Sequence, residues 1–195
     1  MEGAGEEKPH AVRLPFSVQG HITPMLSVAN LLHAHGFHVT FVNSKYNHAR
    51  LVRTRGAAAL AGSSGFCFAN IPDGMQQPSG DMDDDVTQDI PSLCKSTLET
   101  CLGPFRRLLT ELNGAASTGD HLVMTCIVSD LTMCFTMDAA KELDVPYVQL
   151  WTASTVSYLG FRYFRLVIDR GIVPLQGTHV FRSLNTIQFF GYHFL

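Results

Sequence analysis

Leu14-Pro15-Phe16-Ser17-Val18-Gln19-Gly20-His21-Ile22-Thr23-Pro24-Met25-Leu26 is the stretch on which the fold reading turns. Residues 11–16 enter it as an apolar strand and stop at a turn of small residues that carries His21. Thr23-Pro24 then reads as a helix start, Thr23 at the N-cap and Pro24 at the first helical position. The helix runs over 23–35, with Met25, Leu26, Val28, Ala29, Leu31 and Leu32 as its buried stripe and Gly36 as its stop. A strand that delivers a histidine to a helix N-terminus supplies a proton acceptor that works near neutral pH. It also supplies backbone N–H groups facing whatever docks there. The pairing suits base-assisted attack by a hydroxyl beside a charged or phosphate-bearing group.

Outward from this stretch the chain alternates. Residues 37–42 predict a second strand, 48–55 a basic helix ended by Gly56, and 66–71 a third strand. A polar loop over 72–85 follows. Ile90, Leu93, Cys94, Thr97, Leu98, Cys101, Leu102, Phe105, Leu108, Leu109 and Leu112 then keep helical spacing, with Pro104 placed to kink the helix near Cys101. After a loop at 114–120 come a strand (122–128), a helix (133–143), a strand (145–151) and a helix (155–170) stopped by Gly171. Alternating helices and near-continuously apolar strands predict an α/β fold, a Rossmann-like parallel sheet with helices on both faces. Ligands of such sheets bind beyond the carboxyl ends of the strands, where His21, Asp130 and Thr152 fall.

The totals bound the rest. A chain of 195 residues is ample for one domain and short for two. Its net charge of −3 gives no basic footprint, so neither nucleic acid nor a polybasic membrane surface is expected as a partner. The acidic, apolar-poor start predicts no secretory leader. Apolar runs end far short of the ~20 residues of a membrane span. Five cysteines, an odd count set within apolar segments, read as reduced core thiols and point to the cytoplasm.

Among nine histidines, position singles out His21; His33, His35 and His38 cluster at a helix end and read as solvated or dipole-facing rings. Asp130 closes a strand, where it either holds an imidazole in one tautomer or caps the next helix; spacing leaves both open. Asp81-Met82-Asp83-Asp84-Asp85 has Asp-x-Asp spacing but lies in a polar loop, which favours a solvated run over a metal site. Gly20 and Gly36 compose no dinucleotide fingerprint, and neither a P-loop nor a Gly-x-Ser-x-Gly elbow occurs.

As a set, 14–26, 36–43 (Gly-Phe-His-Val-Thr-Phe-Val-Asn), 71–74 (Ile-Pro-Asp-Gly), 127–130 (Ile-Val-Ser-Asp), Pro146, 151–154 (Trp-Thr-Ala-Ser) and 170–174 (Arg-Gly-Ile-Val-Pro) resemble the plant UDP-sugar glycosyltransferases that act on small lipophilic acceptors. The resemblance covers residues 9 to about 175. It implies the N-terminal, acceptor-binding half of the two-domain GT-B architecture. It further implies His21 as general base, Asp130 as the carboxylate that orients it, and Gly20 and Thr152 near the donor sugar. The expected acceptor walls are Phe16, Met82, Ile90, Phe135 and Tyr158. A UDP-sugar (glucose first) and an aglycone are the implied substrates, with inversion, no cofactor and no metal. Ser17-Val18 and Thr23 depart from the family's commoner Pro-Ala and Asn.

The implied organisation is a disordered start at 1–8, the acceptor domain at 9–175, and a divergent, poorly ordered tail at 176–195, with no donor-binding domain in these residues. The expectation is a transferase form inactive alone. The other reading is a non-catalytic aglycone-binding or interaction module of the same ancestry, which self-associates or pairs with a full-length relative.

Overall fold

The computed structural model describes residues 8–75, 90–117 and 123–172. The elements run β1 (His10–Leu14), α1 (Gln19–Ala34), β2 (His38–Ser44), α2 (Lys45–Arg55), a 3-10 turn (Ala57–Leu60), β3 (Phe66–Ile71), α3 (Ile90–Thr100), α4 (Leu102–Ser117), β4 (Met124–Asp130), α5 (Thr136–Glu142), β5 (Tyr147–Leu150) and α6 (Thr155–Asp169). The strands form one parallel sheet in the order β3-β2-β1-β4-β5, with Val12 beside Thr40 on one side and Ile127 on the other. The α/β, Rossmann-like reading therefore holds.

Alternation along the strands feeds two cores, Val42 of β2 entering one and Val39 and Phe41 the other. Val12 and Leu14 join Ile127, Leu93, Phe105 and Leu109 under α3, α4 and α5. On the opposite face Ile22, Met25 and Ala29 of α1 cover Val39, Phe41 and Phe66. Helices thus shield both faces, as the apolar strands require.

Local boundaries depart from expectation in instructive places. The first helix begins at Gln19, behind an extended Val18 (φ −121°, ψ 140°), so His21 rides on its first turn and Pro24 lies inside it. Pro24 removes the N–H that would bond the Gly20 carbonyl, so that bond is missing inside the helix. The second helix begins at Lys45 because the Ser44 side chain caps it, accepting from the Asn47 amide at 3.2 Å. The long amphipathic segment is two helices that meet at Cys101. Pro104 falls in the first turn of α4, where a missing N–H costs least. That helix continues through 114–117, which the sequence assigns to a loop. The residues 76–89 and 173–195, which include Met82, the acidic run and the expected tail, lie outside the described residues, as do 1–7.

One strand residue runs against the apolar pattern. Arg13, at the centre of β1, is wholly buried, and its Nη2 donates only to the Met25 thioether at 3.4 Å. Its Nε and Nη1 have no partner. Burial pulls the guanidinium pKa down to about 10. That depression corresponds to a penalty of about 3 kcal/mol at neutral pH, which the rest of the fold must offset.

Candidate active site

The carboxyl edge of the sheet assembles three side chains from three connections. His21 sits on the first turn of α1, Asp130 ends β4, and Thr152 stands two residues beyond β5. Because β4 pairs with both β1 and β5, these positions converge on one point of the edge. His21 Nδ1 lies 2.7 Å from Asp130 Oδ2 and 2.9 Å from Thr152 Oγ1. The Thr152 hydroxyl donates to the same Asp130 oxygen at 3.3 Å.

The partners fix the proton positions. A carboxylate only accepts, so the 2.7 Å contact places a hydrogen on His21 Nδ1, which the Thr152 oxygen can share. The Nε2 atom, with no partner among the described residues, is then the free lone pair. Burial is divided accordingly: the His21 side chain is 28% exposed, whereas that of Asp130 is 1% exposed. A carboxylate in that setting holds the ring in one tautomer and stabilises the imidazolium once Nε2 takes a proton.

The two oxygens of Asp130 have separate duties. Oδ1 accepts from the Thr132 backbone N–H at 2.9 Å and from the Thr132 hydroxyl at 2.7 Å, while Oδ2 faces His21 and Thr152. Asp130 therefore meets the imidazole, while the expected helix cap does not occur: the next helix begins at Thr136 behind Phe135 with no side-chain cap, and Asp130 ties the 130–132 turn instead. The Thr132 contacts carried no sequence signal beyond an Asp followed two residues later by a hydroxyl, the pattern of an Asx turn.

Of the expected pocket walls, Phe16 packs edge-on against the His21 ring at 5.4 Å between centroids. Phe135 is buried in the core against Phe105 and borders a separate cleft with Leu98, Leu102 and Met137. Ile90 opens α3 and is exposed, and Tyr158 lies on α6 beside Trp151 at 5.8 Å. Gly20 is exposed, and a Cβ there would meet nothing within 4 Å. Burial raises the thiol pKa of Cys126 and Cys134, and that of Cys101 to about 12, which makes these three thiols poor nucleophiles. Among the described residues, no three His, Cys, Asp or Glu side chains gather as a metal site would need, and no helix is long and apolar enough to cross a membrane.

No protein-family profile matches the chain. Individual proteins do. It is 49% identical over 177 residues to a 7-deoxyloganetin glucosyltransferase of Catharanthus roseus, a match that takes in 91% of this chain and 35% of that protein. The likeness is to the N-terminal part of plant UDP-glycosyltransferases. Arabidopsis thaliana UDP-glycosyltransferase 85A5 is 49% identical over 170 residues, which are 87% of this chain and 34% of that one. The (R)-mandelonitrile beta-glucosyltransferase of Prunus dulcis is 45% identical over 181 residues, 92% of this chain and 36% of that one. Among solved UDP-glycosyltransferases, a UDP-glucose: anthocyanidin 3-O-glucosyltransferase in complex with UDP superposes with a TM-score of 0.62. Identity there is 21%, over 84% of this chain and 34% of that one. Apo UGT2 of Phytolacca americana gives a TM-score of 0.61 at 16% identity, over 83% and 33% of the two chains. These likenesses place the sheet as the N-terminal Rossmann-like domain of a GT-B fold. The chain spans about a third of the length of the curated UDP-glycosyltransferases it matches.

Proposed function

We propose that these residues are the acceptor-activating part of an inverting UDP-sugar glycosyltransferase, with glucose as the sugar and a small lipophilic alcohol or phenol as the acceptor. The supporting observation is the 2.7 Å contact between a partly exposed imidazole and a buried carboxylate at the sheet edge. His21 Nε2 takes the hydroxyl proton as the acceptor oxygen forms its bond to the anomeric carbon. The bond from that carbon to the β-phosphate oxygen breaks with its electron pair, so UDP leaves from the opposite face and the anomeric centre inverts. Asp130 balances the charge of the imidazolium. Phe16 shields one side of the ring, and Thr152, already bonded to His21 and Asp130, stands where donor-sugar hydroxyls would approach. The expected place of action is the cytoplasm, and the substrates are the aglycone and the UDP-sugar.

Transfer by these 195 residues alone is proposed to be negligible. Holding donor and acceptor together in one closed cleft can be worth ~7–11 kcal/mol of the barrier, and a base without a held donor forfeits most of it. Purified protein incubated with UDP-glucose and a panel of phenols and cyanohydrins tests this. Product is expected only after the C-terminal two-thirds of a relative such as the Catharanthus enzyme is added. Robust turnover by the chain alone would refute the inactivity. Failure of both, with the added part folded and UDP-binding, would count against the transferase reading. Apolar residues exposed on β5 and α6, among them Val148, Val156 and Leu159, favour self-association or pairing with a longer relative. Sedimentation velocity showing a monomer at high concentration would contradict that.

A further inference from the structure

Helix α6 buries no residue, yet its exposed apolar side chains are not scattered. Val156, Leu159, Tyr163 and Leu166 are 79%, 57%, 55% and 41% exposed. Their spacing of three, four and three residues is that of the a and d positions along a coiled-coil seam. At about 100° per residue they fall within a stripe about 80° wide. Phe161, Phe164, Val167 and Ile168 lie outside the stripe and are half-buried, Phe161 with its ring 5.3 Å from that of Trp151. The helix therefore rests on the molecule by one apolar side and turns a second one to solvent.

The borders of the stripe say what covers it. Arg162 flanks one edge, exposed and without a partner among the described residues. Asp169, one heptad on, flanks the same edge; Arg165 donates to it at 3.0 Å, and its carboxylate is still exposed. A seam bordered on one side by a cation and an anion seven residues apart is complementary to itself when reversed. Gly160 lies at the other edge, where a Cβ would meet nothing within 4 Å. Packing within the chain does not demand a glycine there, and the missing side chain opens that edge to a second backbone.

We propose that α6 is the interface of an isologous dimer of this chain, in which two copies pack their helices antiparallel along the stripe. Tyr163 meets Leu166 of the second copy, and the two-fold axis repeats the contact. Arg162 then stands beside Asp169 of the second copy, again twice. Arg170, at the next seam position, lays its stem along Leu159 of the second copy and keeps its charge at the rim. A parallel pair is disfavoured, because it would set Arg170 against Arg170 and Arg162 against Val167. A seam this short is a small interface, which puts the expected affinity in the micromolar range. The dimer is a specific form of the self-association proposed above, and it is independent of the chemistry at His21.

Sedimentation equilibrium of the full chain, from below to well above micromolar concentration, tests it. A reversible monomer–dimer equilibrium is expected. Tyr163→Glu places a charge in the seam and is expected to weaken the dimer at least about tenfold. Arg162→Glu and Asp169→Arg each set like charges side by side twice, and each is expected to cost at least about tenfold. Combining the two is expected to restore affinity to within about threefold of the original, since the pair is then reversed. Circular dichroism checks that every variant folds. The proposal fails if the chain is monomeric throughout or assembles beyond a dimer, or if folded Tyr163→Glu dimerises normally. It also fails if the double variant stays as weak as the single ones. A monomer that floats with phosphatidylserine vesicles would give the stripe to a lipid surface and overturn the dimer too.

Discussion

On one side of β1 the sheet continues through β2, whose residues from Val39 to Ser44 are all buried; on the other it ends at β5, where none is. The helices repeat the contrast. Ile22, Met25 and Ala29 of α1 are buried, whereas α6 buries no residue despite a run of Val156, Tyr158, Leu159, Phe161 and Phe164. Amphipathic sequence alone therefore does not bury a helix. The surface opposite must exist, and β1–β3 provide it for α1 while the described residues provide none for α6. The site straddles this boundary: β4 ends on Asp130 in the packed part, and Thr152 is delivered by the open edge strand. Local stability is expected to fall across the sheet in the same direction.

The largest effect expected from breaking this arrangement is catalytic. In protein complemented for activity, His21→Ala should lower turnover by roughly 10²–10⁴-fold, the usual worth of a positioned base. Thr152→Val, on the loosely covered side, removes a hydrogen bond to His21 and a longer one to the Asp130 carboxylate and should cost less, about tenfold. Steady-state rates check both, and comparable losses would mean that the open wing is as essential to the chemistry as the closed one.

Stability comes next. Phe105→Ala in the covered core should cost about 3–5 kcal/mol, and Leu159→Ala on α6 within about 0.5 kcal/mol. Urea titration measures each, and a large cost for Leu159 would show that α6 is covered in solution. Replacing Arg13 should act in the opposite sense. Arg13→Met removes an unpaired buried charge and is expected to stabilise the fold by about 3 kcal/mol at pH 7. The folded-state pKa of Arg13 lies near 10, below its ordinary value, so the unfolded chain binds the proton more tightly. The penalty is therefore complete below pH 10 and fades as pH rises above about 10, and the advantage of Arg13→Met should shrink there. The smallest effect is at the surface. Arg165 Nε donates to Asp169 one turn on at 3.0 Å, and Arg165→Ala should change stability by about 0.5 kcal/mol or less.

Much of the fold was legible because periodicity reports burial directly. The β3 boundaries, 66–71, coincide with those read from its apolar run, and the stripe from Leu93 to Leu109 is the buried face of α3 and α4. Misreadings fell where a local rule met a competing one. Thr23-Pro24 has the composition of a helix start, but the helix begins four residues earlier, at Gln19, with the proline inside. Pro104 was expected to bend one helix, and it lies in the first turn of a second. At the site, strand-end positions brought His21, Asp130 and Thr152 forward together. The bond from Thr152 back to the His–Asp pair was not visible, because it depends on where a short edge strand ends in space. Nor could alternation reveal that Arg13 is unpaired, since a strand pattern tells which side chains turn inward and not what they meet there.

Dividing Asp130 between two tasks leaves no good orientation for its nearest isostere. In Asp130→Asn, an amide nitrogen on the imidazole side would set donor against donor. Rotated, it would confront the Thr132 N–H and surrender the turn. The aspartate is thus a clasp with a prong in each of two structures, so any rearrangement of the 130–132 turn retunes the ring of His21, and any demand for a new ring angle must first undo that turn.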